Sequence, residues 1–238
     1  MEKVILEIRA GAGGDEAAIF ACDLAKMYER YAQKRGWKFA LIDYSRTTLD
    51  GYKAFVAQIE GEGIFGDLKQ EGGVHRVQRI PSTEKSGRIH TSTASVAIVP
   101  VVEPKEFTLN PADLEITFFR SSGPGGQNVN KVETAVRILH KPSGVVVSSQ
   151  TERSQSANKD QAMAILRSKL YEAEREAEER KLGGLRREQI GSADRSEKIR
   201  TYNFPDDRIT DHRIGKKWHN IEKIMAGDLD PIVKAFRN

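Results

Sequence analysis

Residues 120–131 (RSSGPGGQNVNK) constrain this chain more than any other stretch, because neither a helix nor a strand continues through Gly123, Pro124, Gly125 and Gly126 in succession. The patterns on either side are regular. Leu114, Ile116 and Phe118 alternate as a strand that leads straight into the glycines. Beyond them, 132–140 and 144–150 form a predicted hairpin, and its turn carries Pro142 and Gly144 where a β-turn favours them. A helix follows with Ala162, Ile165, Leu166, Leu170, Ala173 and Ala177 on one side. Its charged residues over 172–181 are expected to be solvated, and Gly183 and Gly184 to end it.

The N-terminal part is a second sheet-and-helix pattern. Residues 4–8 are a predicted strand, followed by the turn GAGGDE over 11–16. Ala17, Phe20, Leu24, Met27, Tyr28 and Tyr31 then mark one face of a helix that Gly36 ends. Strands are expected over 37–44 and 52–59, and a hairpin of 74–80 with 88–99 around the polar loop 81–87. Residues 191–200 read as a linker back to this first unit. The predicted fold class is therefore α+β, with two sheet-plus-helix domains and the second inserted in the first. The expected division is 1–106 with 194–238, and 107–193.

Composition narrows the chemistry. A chain with 38% hydrophobic and 30% charged residues has the balance of a soluble protein, and no apolar run is long enough to span a bilayer. The single cysteine, Cys22, leaves no intramolecular disulfide and reads as a small buried hydrophobe in the first helix. Between positions 180 and 217 there are eleven Lys or Arg against six Asp or Glu, a local excess of +5 that exceeds the net charge of +4 and leaves the rest of the chain close to neutral. Such a stretch suits phosphate backbone.

Residues 11–16 do not make a dinucleotide-binding turn, because Glu16 stands where the third glycine belongs and acids would repel a pyrophosphate. The five histidines, at 75, 90, 140, 212 and 219, form no metal-ligand spacing, and there is neither a nucleophile elbow nor a zinc-protease motif. No metal or cofactor is expected. Gln127 stands on its glycines with an amide that does not titrate near neutral pH. It can orient a water, and its backbone N–H can stabilise a developing oxyanion.

The segment around Gly125-Gly126-Gln127 resembles the catalytic loop of class I bacterial and organellar peptide chain release factors. The resemblance extends over RAGAGGDEAA (9–18), GVHRVQRIPSTE (73–84), GRIHTS (87–92) and TYNFP (201–205) to TDHRI (210–214), in family order. It implies a first domain that reads a stop codon and a second that promotes hydrolysis of the peptidyl-tRNA ester on the ribosome. Gly125, Gly126 and Gln127 would be the catalytic residues, with Gln127 the N5-methylation site of a glutamine methyltransferase.

Pro81-Ser82-Thr83 resembles the determinant of the type that reads UAA and UAG. By the same resemblance Gly13 and Glu16 face the first base, His90 separates the second base from the third, and Gln78 and Thr91 contact the third. The implied partners are the ribosome, the stop codon in messenger RNA and peptidyl-tRNA. A monomer in the cytoplasm or an organelle matrix is expected, without membrane or metal, and without activity as a free-standing enzyme. Family members carry a helical domain ahead of the position of Met1. Two other readings remain open, a codon-independent ribosome rescue factor and a non-catalytic RNA-binding regulator.

Overall fold

A computed structural model describes residues 1–81, 84, 86–101, 109–120, 132–191 and 193–237. In chain order the elements are β1 (Glu2–Ala10), α1 (Asp15–Lys34), β2 (Lys38–Arg46), β3 (Tyr52–Gly61), α2 (Ile64–Leu68), β4 (Gly73–Arg79) and β5 (His90–Pro100). Then come β6 (Leu114–Phe119), β7 (Ala135–His140), β8 (Val145–Ser149) and the long α3 (Gln155–Ile190). The chain closes with β9 (Lys198–Asn203), β10 (Arg208–Asp211), β11 (Lys217–His219), α4 (Ile221–Met225) and α5 (Asp230–Ala235). Two compact units result, one of Met1–Val102 with Leu182–Asn238 and one of Glu103–Lys181.

The first unit is built on an eight-stranded sheet of order β11-β10-β9-β4-β5-β1-β3-β2. All neighbours are antiparallel except β4 and β9, which are parallel. A parallel pair needs a long connection, and this one contains the whole second unit. Val4, Leu6 and Ile8 alternate along β1 onto one face of the sheet. There they meet Phe20, Leu24, Met27, Tyr28 and Tyr31, which recur at helical spacing along α1, all fully buried. Each such side chain contributes roughly 1.5–3 kcal/mol by leaving water. Cys22 lies buried in the same helix, and burial pushes its thiol pKa up.

Two expectations are corrected here. Gly183 and Gly184 do not end α3, which runs on to Ile190. Each glycine costs a helix about 1 kcal/mol relative to alanine, and the turns beyond them offset this by packing on the other face of the sheet. Arg186 Nη2 lies 2.5 Å from Glu7 Oε1, and the Gln189 amide bonds both Ile98 backbone groups, accepting from N at 2.8 Å and donating to O at 3.2 Å. The division between the two compact units falls at Lys181 and Leu182, inside the helix. Nor is 191–200 only a linker, since β9 begins at Lys198 and Arg200 is fully buried.

Arg200 is buried because carboxylates wait for it. Its Nη1 and Nη2 donate to the two Glu71 oxygens at 2.6 and 2.9 Å, and its Nε and Nη2 reach Asp211 Oδ2 at 3.3 and 3.2 Å. Tyr28 OH donates to Glu71 Oε2 at 2.9 Å, and Arg213 Nη2 lies 2.7 Å from Asp211 Oδ2. Burial alone would push the Glu71 carboxyl up, but Arg200 outweighs it and holds it below the usual range. Asp211, under the same opposition from Arg213 and Arg200, is also held low.

His75 sits in the same buried cluster, with Nε2 2.9 Å from the Glu71 carbonyl and Nδ1 3.3 Å from Tyr202 OH. A carbonyl only accepts, so Nε2 carries the hydrogen and Nδ1 accepts from the phenol. Burial, followed by the Arg200 charge, lowers the His75 pKa from 6.5 to about 4. The unfolded chain therefore binds a proton that the fold refuses between those values. Stability is complete above about pH 6.5 and falls as pH drops, by about 2 kcal/mol at pH 5. Urea unfolding at pH 7 and pH 5 measures this. His75→Gln should flatten that dependence, and an equal slope in both proteins would remove His75 as its source.

The second unit has a three-stranded sheet of order β6-β7-β8 with adjacent strands antiparallel. Ala162, Leu166 and Leu170 of α3 pack on Val136, Ile138 and Val147. Fully buried Asn158 satisfies its whole amide. It accepts from Ser149 Oγ and Glu152 N at 3.0 Å each and donates to the Thr134 and Glu152 carbonyls at 2.9 Å each. With Gln155 Nε2 donating to the Glu133 carbonyl at 2.8 Å, α3 pins the chain just after 121–131.

Candidate functional site

The described candidates of the first unit gather at one end of the β4–β5 pair. Gln78 and Thr91 stand directly opposite each other, and so do Arg79 and His90. Alternation places Val77 and Arg79 on the face that meets α1, and Gln78 and Thr91 on the other. Gln78 and Thr91 are half-buried, His90 is exposed and Pro81 is buried. Ser82 and Thr83, like Gly125, Gly126 and Gln127, lie outside the described residues.

The turn before α1 is stitched onto β5 by Thr93. Gly11 N donates to Thr93 O, Thr93 N to Ala12 O and Ala12 N to Thr93 Oγ1, each at 2.8 Å. The Thr93 hydroxyl hydrogen then goes to Ala193 O at 3.0 Å. Gly13 has φ 130° and lies so close to β5 that a Cβ there would be 2.2 Å from Ser92 Oγ. Only glycine fits, and its backbone stays exposed.

Glu16, one turn on, points inward and is 4% exposed. Its Oε1 accepts from Arg79 Nε at 2.6 Å, while its Oε2 is buried without a hydrogen-bond partner among the described residues. Arg79 Nη1 also lies 2.8 Å from Asp23 Oδ2, and its guanidinium is 5.3 Å from the Phe204 ring centroid. Burial would disfavour the Arg79 charge, but Glu16 and Asp23 more than restore it. Gly13 and Glu16 thus differ in kind. One offers exposed backbone, and the other holds the turn to β4 through Arg79.

Glu84 organises the hairpin end. Its Oε1 accepts from Ser86 N at 2.7 Å, and its Oε2 lies 2.6 Å from His90 Nε2 and 3.6 Å from Arg88 Nε. The Ser86 N–H first, then His90, hold the carboxyl below its ordinary pKa. Sequence reasoning had not singled out Arg79, Glu84 or Thr93 as site residues. Signals existed, namely a hydroxyl within the apolar run of β5 and an arginine at a core-facing position of β4. The chemistry assembled is hydrogen bonding and ring stacking: an amide opposite a hydroxyl, an exposed imidazole and a bare backbone turn, with no nucleophile–base pair among the described residues of this hairpin end. Among the described residues no group of three or more His, Cys, Asp or Glu could hold a metal ion, and no helix is long and apolar enough to cross a membrane.

Comparisons with known proteins agree with this arrangement. Residues 1–96 match the PCRF domain and residues 103–213 the RF-1 domain. Peptide chain release factor 1 of Caldicellulosiruptor saccharolyticus is 54% identical over 235 residues, covering 99% of this chain and 66% of that protein. The same factor of Salinibacter ruber is 52% identical over 238 residues, covering 99% and 67%. This chain thus spans about two thirds of the length of these curated relatives. Among solved structures, RF2 of Thermus thermophilus matches with a TM-score of 0.59 and 38% identity, covering 100% of this chain and 69% of that one. The chain belongs to the peptide chain release factor family.

Proposed function

We propose that this chain is a translation termination factor that recognises UAA and UAG on the ribosome and triggers hydrolysis of the peptidyl-tRNA ester. The observation that carries the reading is the convergence of Gly13, Gln78, His90 and Thr91 at one end of the β4–β5 pair. Gly13 presents backbone groups to the first base, with Glu16 fixing that turn from behind through Arg79. His90 parts the second base from the third by stacking. Gln78 and Thr91 each offer a donor and an acceptor to the third base, which suits adenine or guanine. Pro81, Ser82 and Thr83 complete the codon-reading set.

Gly125, Gly126 and Gln127 act in the ribosomal peptidyl-transferase centre, where the ribosome supplies the rest of the active site, so the chain is not a free-standing enzyme. Its partners are the ribosome, the stop codon, peptidyl-tRNA and a methyltransferase that modifies Gln127. It works as a monomer in the cytoplasm or an organelle matrix.

The test is peptide release from ribosomes programmed with each stop codon. Release on UAA and UAG should exceed that on UGA by at least about tenfold, which corresponds to one lost contact of about 1.4 kcal/mol. Equal release on UGA and UAG would refute the codon assignment. Release from ribosomes with an empty decoding site would favour rescue.

A further inference from the structure

The other buried or half-buried arginines of the first unit have a carboxylate beside them. Arg79 lies 2.6 Å from Glu16, Arg186 2.5 Å from Glu7, Arg200 2.6 Å from Glu71 and Arg208 2.9 Å from Asp206. Arg76 differs. It is half-buried on β4, and no ion pair to it or to Lys198 occurs among the described residues. Desolvation is the one influence on its pKa, which it lowers. A partly desolvated charge without a counter-charge gains from an anion that arrives from outside.

The surroundings of Arg76 are arranged for an anion. Its Nε donates to Thr201 Oγ1 at 3.2 Å, and the same oxygen lies 2.7 Å from His212 Nε2. The hydroxyl oxygen has two acceptor positions and one hydrogen, so it can accept from Arg76 while bonding Nε2 of exposed His212 in either tautomer. Positive charge from Lys198 and Arg76, after desolvation, keeps the His212 pKa low, against Asp211 alone. The Asp211 carboxylate is already engaged by Arg200 and Arg213.

Position points to the ligand. Strand register sets two parallel rows on this face of the sheet, Thr201–Arg76–Thr93 and Asn203–Gln78–Thr91. They are two residues apart along β4, about 7 Å, comparable to one nucleotide step of an extended strand. The second row holds the two residues assigned above to the third codon base.

We propose that Arg76, Lys198 and His212 bind a phosphodiester of RNA beside the Gln78–Thr91 pair. The site deepens the termination reading and rests on it for the identity of the ligand. The phosphodiester comes either from the message next to the stop codon or from ribosomal RNA.

The first experiment is ribosome-free: fluorescence anisotropy of the full chain with a short single-stranded oligoribonucleotide at several salt concentrations. Arg76→Gln/Lys198→Gln should weaken binding about tenfold and lower the salt slope by about 0.7, for one phosphate of a single strand no longer neutralised. Exposed Lys53→Gln is the control and should leave both unchanged. The His212 ring signals should shift on titration with the same oligonucleotide in wild type and not in the double variant. Unchanged affinity and slope in a double variant that melts like wild type would overturn the site, as would absence of binding by the wild-type chain at low salt.

The second experiment measures release on ribosomes whose message ends at the stop codon or continues past it. A KM raised only on the longer message assigns the phosphodiester to the message, and a KM raised on both assigns it to ribosomal RNA. A wild-type chain that binds the oligonucleotide through this cluster but releases no peptide would sink the termination reading and leave the site standing. A release-competent chain whose double variant behaves as wild type in both experiments would do the reverse.

Discussion

Arg200→Met should lower the unfolding free energy by about 3–5 kcal/mol, the expected cost of removing one partner from a buried ion cluster. Methionine fills the space of the arginine stem, so little of the loss comes from a cavity. What remains is Glu71, 1% exposed and stripped of two hydrogen bonds, and Asp211, fully buried and left with Arg213. The cluster joins parts of the chain on either side of the inserted unit, Tyr28, Glu71 and His75 before it and Arg200, Tyr202 and Asp211 after it. Losing Arg200 should therefore loosen the returning strands β9 and β10 from β4. Urea unfolding of the single variant and of Arg200→Met/Glu71→Gln forms the measurement. The second substitution should recover part of the loss by removing the uncompensated carboxylate. A single-variant cost below about 1 kcal/mol would show that Glu71 is compensated without Arg200.

The same cluster explains which parts of the fold were legible in the sequence. Where burial is apolar, period alone was enough. Val4, Leu6 and Ile8 alternate, Phe20, Leu24 and Tyr28 follow the helical repeat, and both patterns are buried in the structure. Where burial is polar, period says nothing. Arg200 looks like a solvated linker residue until Glu71 is placed beside it, 129 positions away in sequence. The last turns of α3 were hidden for a related reason. Gly183 and Gly184 are local stop signals, and they are overridden by Arg186 and Gln189, whose partners Glu7 and Ile98 are distant in sequence.

The candidate site divides along the same line. Gln78, His90, Thr91 and Gly13 were singled out from the resemblance, each with a backbone or side chain able to meet a base. Arg79, Glu84 and Thr93 act on those residues and were not singled out, because their work is visible only as distances: 2.6 Å from Arg79 to Glu16, 2.6 Å from Glu84 to His90 and 2.8 Å from Thr93 to the Ala12 amide. The functional chemistry was compatible with residue type, whereas its support depended on geometry.

Gln127→Pro should reduce peptide release on UAA and UAG by about 10²–10³-fold, the usual cost of deleting one oxyanion donor. Two groups at position 127 compete for the proposed role. The side-chain amide can place water, and the backbone N–H can stabilise the departing ribose oxygen. Proline removes the N–H and alanine keeps it, so the pair separates them. If the backbone carries the larger part, Gln127→Ala retains most of the release rate and discriminates less against other nucleophiles, while Gln127→Pro loses the rate and cannot be rescued by them. The codon binding proposed above belongs to the other unit, so Gln127→Pro should still compete with wild type for ribosomes stalled at UAA, with an inhibition constant near the wild-type KM. Pre-steady-state release with competition makes the distinction. Undiminished release by Gln127→Pro would remove this residue from the chemistry, and loss of competition alongside release would assign the defect to binding.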